Sequence, residues 1–181
     1  MASTAINQPQ AGPLGLSTPL DPLGLAPIPE DTRRRFLRFK LAREDKVLLP
    51  LETVVEVRQL ESAEILPVPE VPAHLLGVYS WRGEIHWLVD LNALVGELPL
   101  WQQQPFLEQA MVLMVESGER RVALVVEQVN DLEMLAPETI QVPTELYSTA
   151  LSSFVIGYLP RHGGTVLDVD VIVERSLHST A

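Results

Sequence analysis

The sequence predicts an all-β protein with short helical connectors, built from two related units. Three observations carry this. Apolar residues recur with a period of two or in continuous runs of strand length, turn signals separate them every eight to twelve residues, and a set of marker residues repeats at a fixed offset. Short strands with tight turns fit either a sandwich or small barrels.

Residues 1–32 precede the pattern as a tail expected to be disordered. Residues 1–30 hold six of the 15 prolines, with no charge before Asp21. Proline at this density removes backbone donors and stops helix propagation, leaving partly polyproline chain. Its scattered leucines offer a partner contact, but a plain tether is the simpler role. No basic segment precedes an apolar run as in a signal peptide, and no stretch approaches the roughly 20 apolar residues that span a bilayer.

Arg33, Arg34, Arg35, Arg38 and Lys40 then form a basic collar. The chain of 181 residues carries 24 acidic and 13 basic residues, net -11, so behind the collar the body is strongly acidic. An acidic pI disfavours nucleic-acid binding. The collar reads either as a docking site for anionic lipid or an acidic partner, or as a solvated lead-in to the first strand, the second being the simpler. With no cysteine there is no disulfide, thiolate metal site or thiol nucleophile, and a reducing compartment is expected.

Leu37, Phe39 and Leu41 alternate with Arg38 and Lys40, and Val55 and Val57 alternate with Glu56 and Arg58, which predicts strands with the apolar set facing inward. Ala110–Val115 and Val122–Val126 are continuous apolar runs, expected of strands buried on both faces. Turns are signalled at residues 43–45, Arg82-Gly83, 117–119 and 162–164. Asp90 before Leu91–Val95 and Gly96 predicts a capped helical turn, Asp170 predicts a cap for a helix over Val171–Leu177, and Thr144 starts a turn of helix through Ala150.

The repeat is the most informative feature. Gly77, Gly83 and Asp90 match Gly157, Gly163 and Asp170 at an offset of 80, and Trp87 and Val89 match Leu167 and Val169. Upstream, Val47, Glu52, Val54, Glu56 and Ile65 match Val122, Glu127, Val129, Asp131 and Ile140 at an offset of 75. Two units of about five strands follow, over about 35–96 and 108–177. Gly77 and Gly157, inside strand patterns, permit a bulge or close backbone approach, and Gly83 and Gly163 serve turns.

No reaction centre emerges. The histidines His74, His86, His162 and His178 have no ligand partner at i+3 or i+4, and no phosphate-binding glycine motif is present. Ser80, His86 and Asp90 are the nearest approach to a hydrolase set, without a nucleophile elbow. What remains is binding through surface, centred on Val78-Tyr79-Ser80-Trp81-Arg82-Gly83-Glu84, rich in the residue types that dominate interfaces. Trp81 and Trp87 as core aromatics, with Arg82 paired to a carboxylate, is the equal alternative.

At these residues the chain resembles the CheW-like family of chemotaxis scaffold proteins. The family segment reads roughly P-x-x-[LIV]-x-G-[VI]-x-N-L-R-G-x-[IV]-x-P-V-[VIL]-D-L. Here it stands as Pro72-Ala73-His74-Leu75-Leu76-Gly77-Val78-Tyr79-Ser80-Trp81-Arg82-Gly83-Glu84-Ile85-His86-Trp87-Leu88-Val89-Asp90-Leu91. The resemblance implies two packed five-stranded SH3-like barrels over 33–177, strands being exchangeable between barrels. It implies a non-enzymatic cytoplasmic adaptor without cofactor or metal, held at the inner face of the membrane through receptor arrays. The adaptor would bridge the tip of a methyl-accepting chemoreceptor and the regulatory domain of a CheA-type histidine kinase. By motif position it carries partner contacts to Val54, Glu56, Gly77, Trp81, Arg82, Gly83, Val129 and Leu132. Ser80-Trp81 and Trp87 depart from the family's Asn-Leu and Pro, which leaves pilus-based twitching or phototactic movement open as the output. The alternatives are a stand-alone SH3-like binding module and, behind it, a small hydrolase using Ser80, His86 and Asp90.

Overall fold

The computed structural model describes residues 31–103, 109–142, 150–160 and 163–178. The tail over 1–30 and Thr144 with the start of its expected helical turn lie outside them; a 3₁₀ turn occupies Ala150–Phe154. Ten strands run β1 (Arg34–Leu41), β2 (Glu44–Pro50), β3 (Val54–Glu61), β4 (Leu75–Trp81), β5 (Glu84–Asp90), β6 (Gln109–Ser117), β7 (Arg120–Val126), β8 (Gln128–Leu135), β9 (Val155–Tyr158) and β10 (Thr165–Leu167). Among the described residues, helices α1 (Leu91–Leu94), α2 (Leu100–Gln103) and α3 (Val169–His178) and further 3₁₀ turns at Leu51–Thr53, Ser62–Glu64 and Pro137–Thr139 complete the order. The fold is all-β with short helices.

The strands form two five-stranded sheets, ordered β8-β1-β2-β10-β9 and β3-β6-β7-β5-β4. Replacing each strand by its counterpart five places along the chain converts one order into the other. Each half of the chain therefore lends its first hairpin, β1–β2 or β6–β7, to the sheet holding the last three strands of the other half. The same correspondence holds in detail. Leu66 bridges Val78 and Gln141 bridges Tyr158, and β5 runs parallel to β7 as β10 does to β2.

Three apolar clusters explain the sequence patterns. One lies between the sheets and joins Leu37, Phe39, Leu41, Val47 and Leu49 to Val89, Leu113, Val115, Val122 and Leu124. A second fills the inside of the β3–β7 sheet with Leu60, Tyr79, Trp81, Leu88, Val112, Met114 and Val125, and a smaller one fills the other sheet with Phe36, Leu48, Leu159 and Val166. Alternate residues of β7 thus enter two different cores, which is why this strand is continuously apolar. Ile65 and Ile140 close the two interiors at equivalent places.

The paired glycines are backbone crossings. A Cβ on Gly77 would stand 2.4 Å from the Leu66 carbonyl oxygen, and one on Gly157 2.8 Å from that of Gln141. The later part of the repeat corrects the sequence reading. Leu75 pairs with Val89 and Val155 with Leu167, so beyond the hairpin the offset is 78, not 80. The second hairpin is two residues shorter. The true counterpart of Asp90 is Asp168: both accept from the amide three residues on, and their own amides donate to His74 and Phe154. Asp170 lies inside α3 and accepts from the Ser117 hydroxyl at 2.5 Å. Asp90 is fully buried, takes a second amide from Leu100 at 2.7 Å and so fixes α2, an element the sequence pattern did not reveal. Burial pushes its carboxyl up, against the opposing pull of the amides it accepts from.

The alternation in β3 is also reversed. Val55 and Val57 are exposed, whereas Glu56 and Arg58 turn toward the sheet interior with Leu60. An edge strand gives its side chains one neighbouring strand instead of two, so the alternation alone does not fix which set is dry.

Candidate functional site

The β4–β5 hairpin turns through Arg82 and Gly83, with Trp81 paired to Glu84. Both turn residues have positive φ, 51° and 84°. This left-handed path suits the twist of a two-residue hairpin and suits glycine, but for arginine it carries a cost of about 1 kcal/mol. The side chain held there is 68% exposed. Space around Gly83 is open, so its requirement is conformational alone.

Trp81 lies beneath, 6% exposed. Its indole Nε1 donates to Glu56 Oε2 at 3.0 Å, joining the two edge strands β4 and β3 and rolling the sheet into a barrel. The same carboxylate oxygen accepts from Arg82 Nη2 at 3.4 Å, and the Arg82 guanidinium carbon stands 4.4 Å above the indole ring. His86 meets the indole edge-on at 5.6 Å. The hairpin thus follows the core-aromatic reading, with Trp81 in the core and Arg82 paired to the Glu56 carboxylate, while the Arg82 side chain stays exposed at the surface.

Four of the expected contact residues, Glu56, Trp81, Arg82 and Gly83, come together here. Val54 and Val129, counterparts at the start of the edge strands β3 and β8, each pack against the core between the sheets. Leu132 faces outward from β8 at 53% exposure, as its counterpart Val57 does from β3 at 41%. Gly77 is occupied with the Leu66 crossing. The exposed apolar residues Val55, Val57 and Ile85, the last 71% exposed, were not assigned to a contact surface by the sequence. Their signal is that they stand beside the turn and edge residues that were.

The basic collar is engaged within the chain. Arg38 and Lys46 meet Glu133 at 3.4 and 3.0 Å, Lys40 meets Glu127 at 2.7 Å and Arg34 meets Glu52 at 4.0 Å. The hydrolase arrangement is absent. Tyr79 pairs with His86 and Ser80 with Ile85, so Ser80 and His86 project from opposite faces of the hairpin, and both carboxylate oxygens of Asp90 hold amides. Among the described residues no cluster of three His, Asp or Glu could hold a metal ion, and no helix is long and apolar enough to cross a membrane.

Comparison with known proteins bears on this arrangement. Residues 35–176 match the CheW-like domain. The chain is 25% identical over 138 residues to the chemotaxis protein CheW of Rhizobium meliloti, covering 76% of this chain and 84% of that one. It is 27% identical over 128 residues to the chemotaxis protein CheW of Klebsiella aerogenes, covering 71% and 73%. The crystal structure of the scaffolding protein TtCheW from Thermoanaerobacter tengcongensis shares the fold, with a TM-score of 0.64 at 22% identity over 75% of this chain and 89% of that one. The two-barrel architecture, the Arg-Gly hairpin and these matches agree: the chain belongs to the CheW-like family of chemotaxis proteins and is a non-catalytic scaffold.

Proposed function

We propose that the chain is a cytoplasmic adaptor coupling a methyl-accepting chemoreceptor to the regulatory domain of a CheA-type histidine kinase, in chemotaxis or pilus-based motility. Arg82 carries this reading. An arginine kept in a left-handed turn, where glycine or asparagine is less strained, and left 68% exposed, is a side chain retained for contact. Glu56 and Gly83 flank it above the buried Trp81, Val54, Val129 and Leu132 on the edge strands β3 and β8 offer further contact, and Gly77 supports the hairpin through the backbone. Rigid barrels transmit a rearrangement at one partner to the other by geometry.

Co-purification from the source cell tests the partners, and reconstitution tests the output. Receptor-dependent phosphorylation that requires this chain, and falls with Arg82→Glu, is the expected result. Recovery of neither a receptor nor a kinase, with no effect on phosphorylation, overturns the reading.

A further inference from the structure

We infer that Trp81 is a positioning residue that presents one edge of the Arg82 guanidinium to a carboxylate on the partner; the partner half of this inference rests on the function proposed above. Arg82 has five N–H donors in a planar fork. Its Nη2 meets Glu56 at 3.4 Å and its guanidinium carbon lies over the indole ring, 4.4 Å from the centroid. Among the described residues Nε and Nη1 have no acceptor, and Nη2 keeps the second of its two hydrogens, so one of the two bidentate edges, Nε with Nη2 or Nη1 with Nη2, stays open to the two oxygens of a carboxylate. Glu56 can hold Nη2 in place because its accepting oxygen is itself fixed by the Trp81 indole at 3.0 Å.

The leucine of the family motif has no N–H to fix Glu56 and no π-face to carry a cation. Tryptophan at position 81 therefore adds a lock that the motif residue lacks. It removes rotamer freedom from Arg82 before binding, freedom that an unsupported arginine loses on association. Lysine at position 82 cannot reproduce the fork, since an ammonium is a point charge on a flexible stem.

The test uses the full chain with Trp81→Phe, Trp81→Leu and Arg82→Lys, each measured two ways. In the free protein, the arginine Nε–H and indole N–H resonances report the lock with no partner present. Wild type should give an Arg82 Nε–H signal displaced by the indole ring current. Trp81→Phe, which keeps an aromatic ring in the core but loses the indole donor, should broaden it, and Trp81→Leu should return it to the free-arginine position. The second measurement is affinity for the co-purified receptor tip and kinase regulatory domain. Losses of three- to tenfold for Trp81→Phe and at least tenfold for Arg82→Lys are expected at one of these partners, with unchanged thermal midpoint in Arg82→Lys. An Arg82 signal unmoved by either tryptophan variant overturns the lock. Arg82→Lys binding within twofold of wild type overturns the carboxylate fork. The displaced signal in a chain that binds neither partner would sustain the lock while refuting the adaptor reading.

Discussion

Gly77 and Leu66 meet backbone to backbone: the space for a Cβ on Gly77 is taken at 2.4 Å by the Leu66 carbonyl oxygen, and Gly77 has a φ of 141°. Gly77→Ala therefore combines steric overlap with an unfavourable backbone conformation, for an expected loss of about 2–5 kcal/mol. Gly83→Ala has the unfavourable φ but open space, and should lose only about 1 kcal/mol. Urea unfolding of the two variants checks the contrast. Equal losses would mean that the Leu66 crossing contributes nothing, and would return Gly77 to the list of direct contact residues.

Arg82→Asn separates stability from contact. Asparagine tolerates the left-handed region, and Asn-Gly is the preferred pair for this turn. That gain offsets the lost stacking on Trp81 and the exposed ion pair with Glu56, so stability should stay within about 1 kcal/mol of wild type. Partner binding should fall by at least tenfold. A variant that binds normally would show that the turn, and not the side chain, is what the partner uses.

Much of this was legible in the residues, and the parts that were not have definite physical causes. Gly77 and Gly157, Ile65 and Ile140, and the two-sided burial of β7 could be read because backbone crossings and dry interiors admit few residue types. Asp90 and Asp170 were paired wrongly because a hairpin two residues shorter shifts everything after it, while Asp168 offers a second, equally suitable cap. The outward valines of β3 were read as inward because a period of two shows which residues share a face but not which face is dry. Arg82 and Gly83, which the family motif matches directly, were found from the turn signal and the aromatic- and arginine-rich segment around them. The Glu56 link was not, because a hydrogen bond between residues 25 apart leaves no local pattern.

His74 should make stability fall on the acid side of neutrality. It lies between the start of β4 and α3, lining a cleft of about 330 Å³ with Val95, Phe154 and Arg175. Burial holds its imidazole below the ordinary value of 6.5, partly countered by the Ser176 backbone. The unfolded chain takes up the proton near 6.5 and the folded chain only at lower pH. Stability is thus fully present above 6.5 and is lost as pH falls from there toward the folded-state value, below which the loss stops. His74→Phe, matching Phe154 at the equivalent place in the second half, should remove this slope. Urea unfolding at a series of pH values from neutral downward, taken as wild type minus variant, isolates it from the carboxylates. Parallel profiles would show that His74 titrates alike folded and unfolded.

The exchanged hairpins make the two barrels one folding unit. β3 pairs only with β6 among the described strands, and β8 only with β1, so each half of the chain leaves its own three-stranded remainder without a hairpin to close on. The core between the sheets is likewise drawn from both halves. Separately expressed fragments 31–103 and 109–178 should each show collapsed amide dispersion, and an equimolar mixture should recover the native spectrum. The intact chain should unfold in one transition. All three tryptophans, Trp81, Trp87 and Trp101, lie in the first half, whereas circular dichroism reports strands of both. Coincident fluorescence and dichroism curves are therefore the expected result. A fluorescence transition separated from the dichroism transition, or native dispersion in either fragment alone, would show that a half folds independently despite lending its first hairpin away.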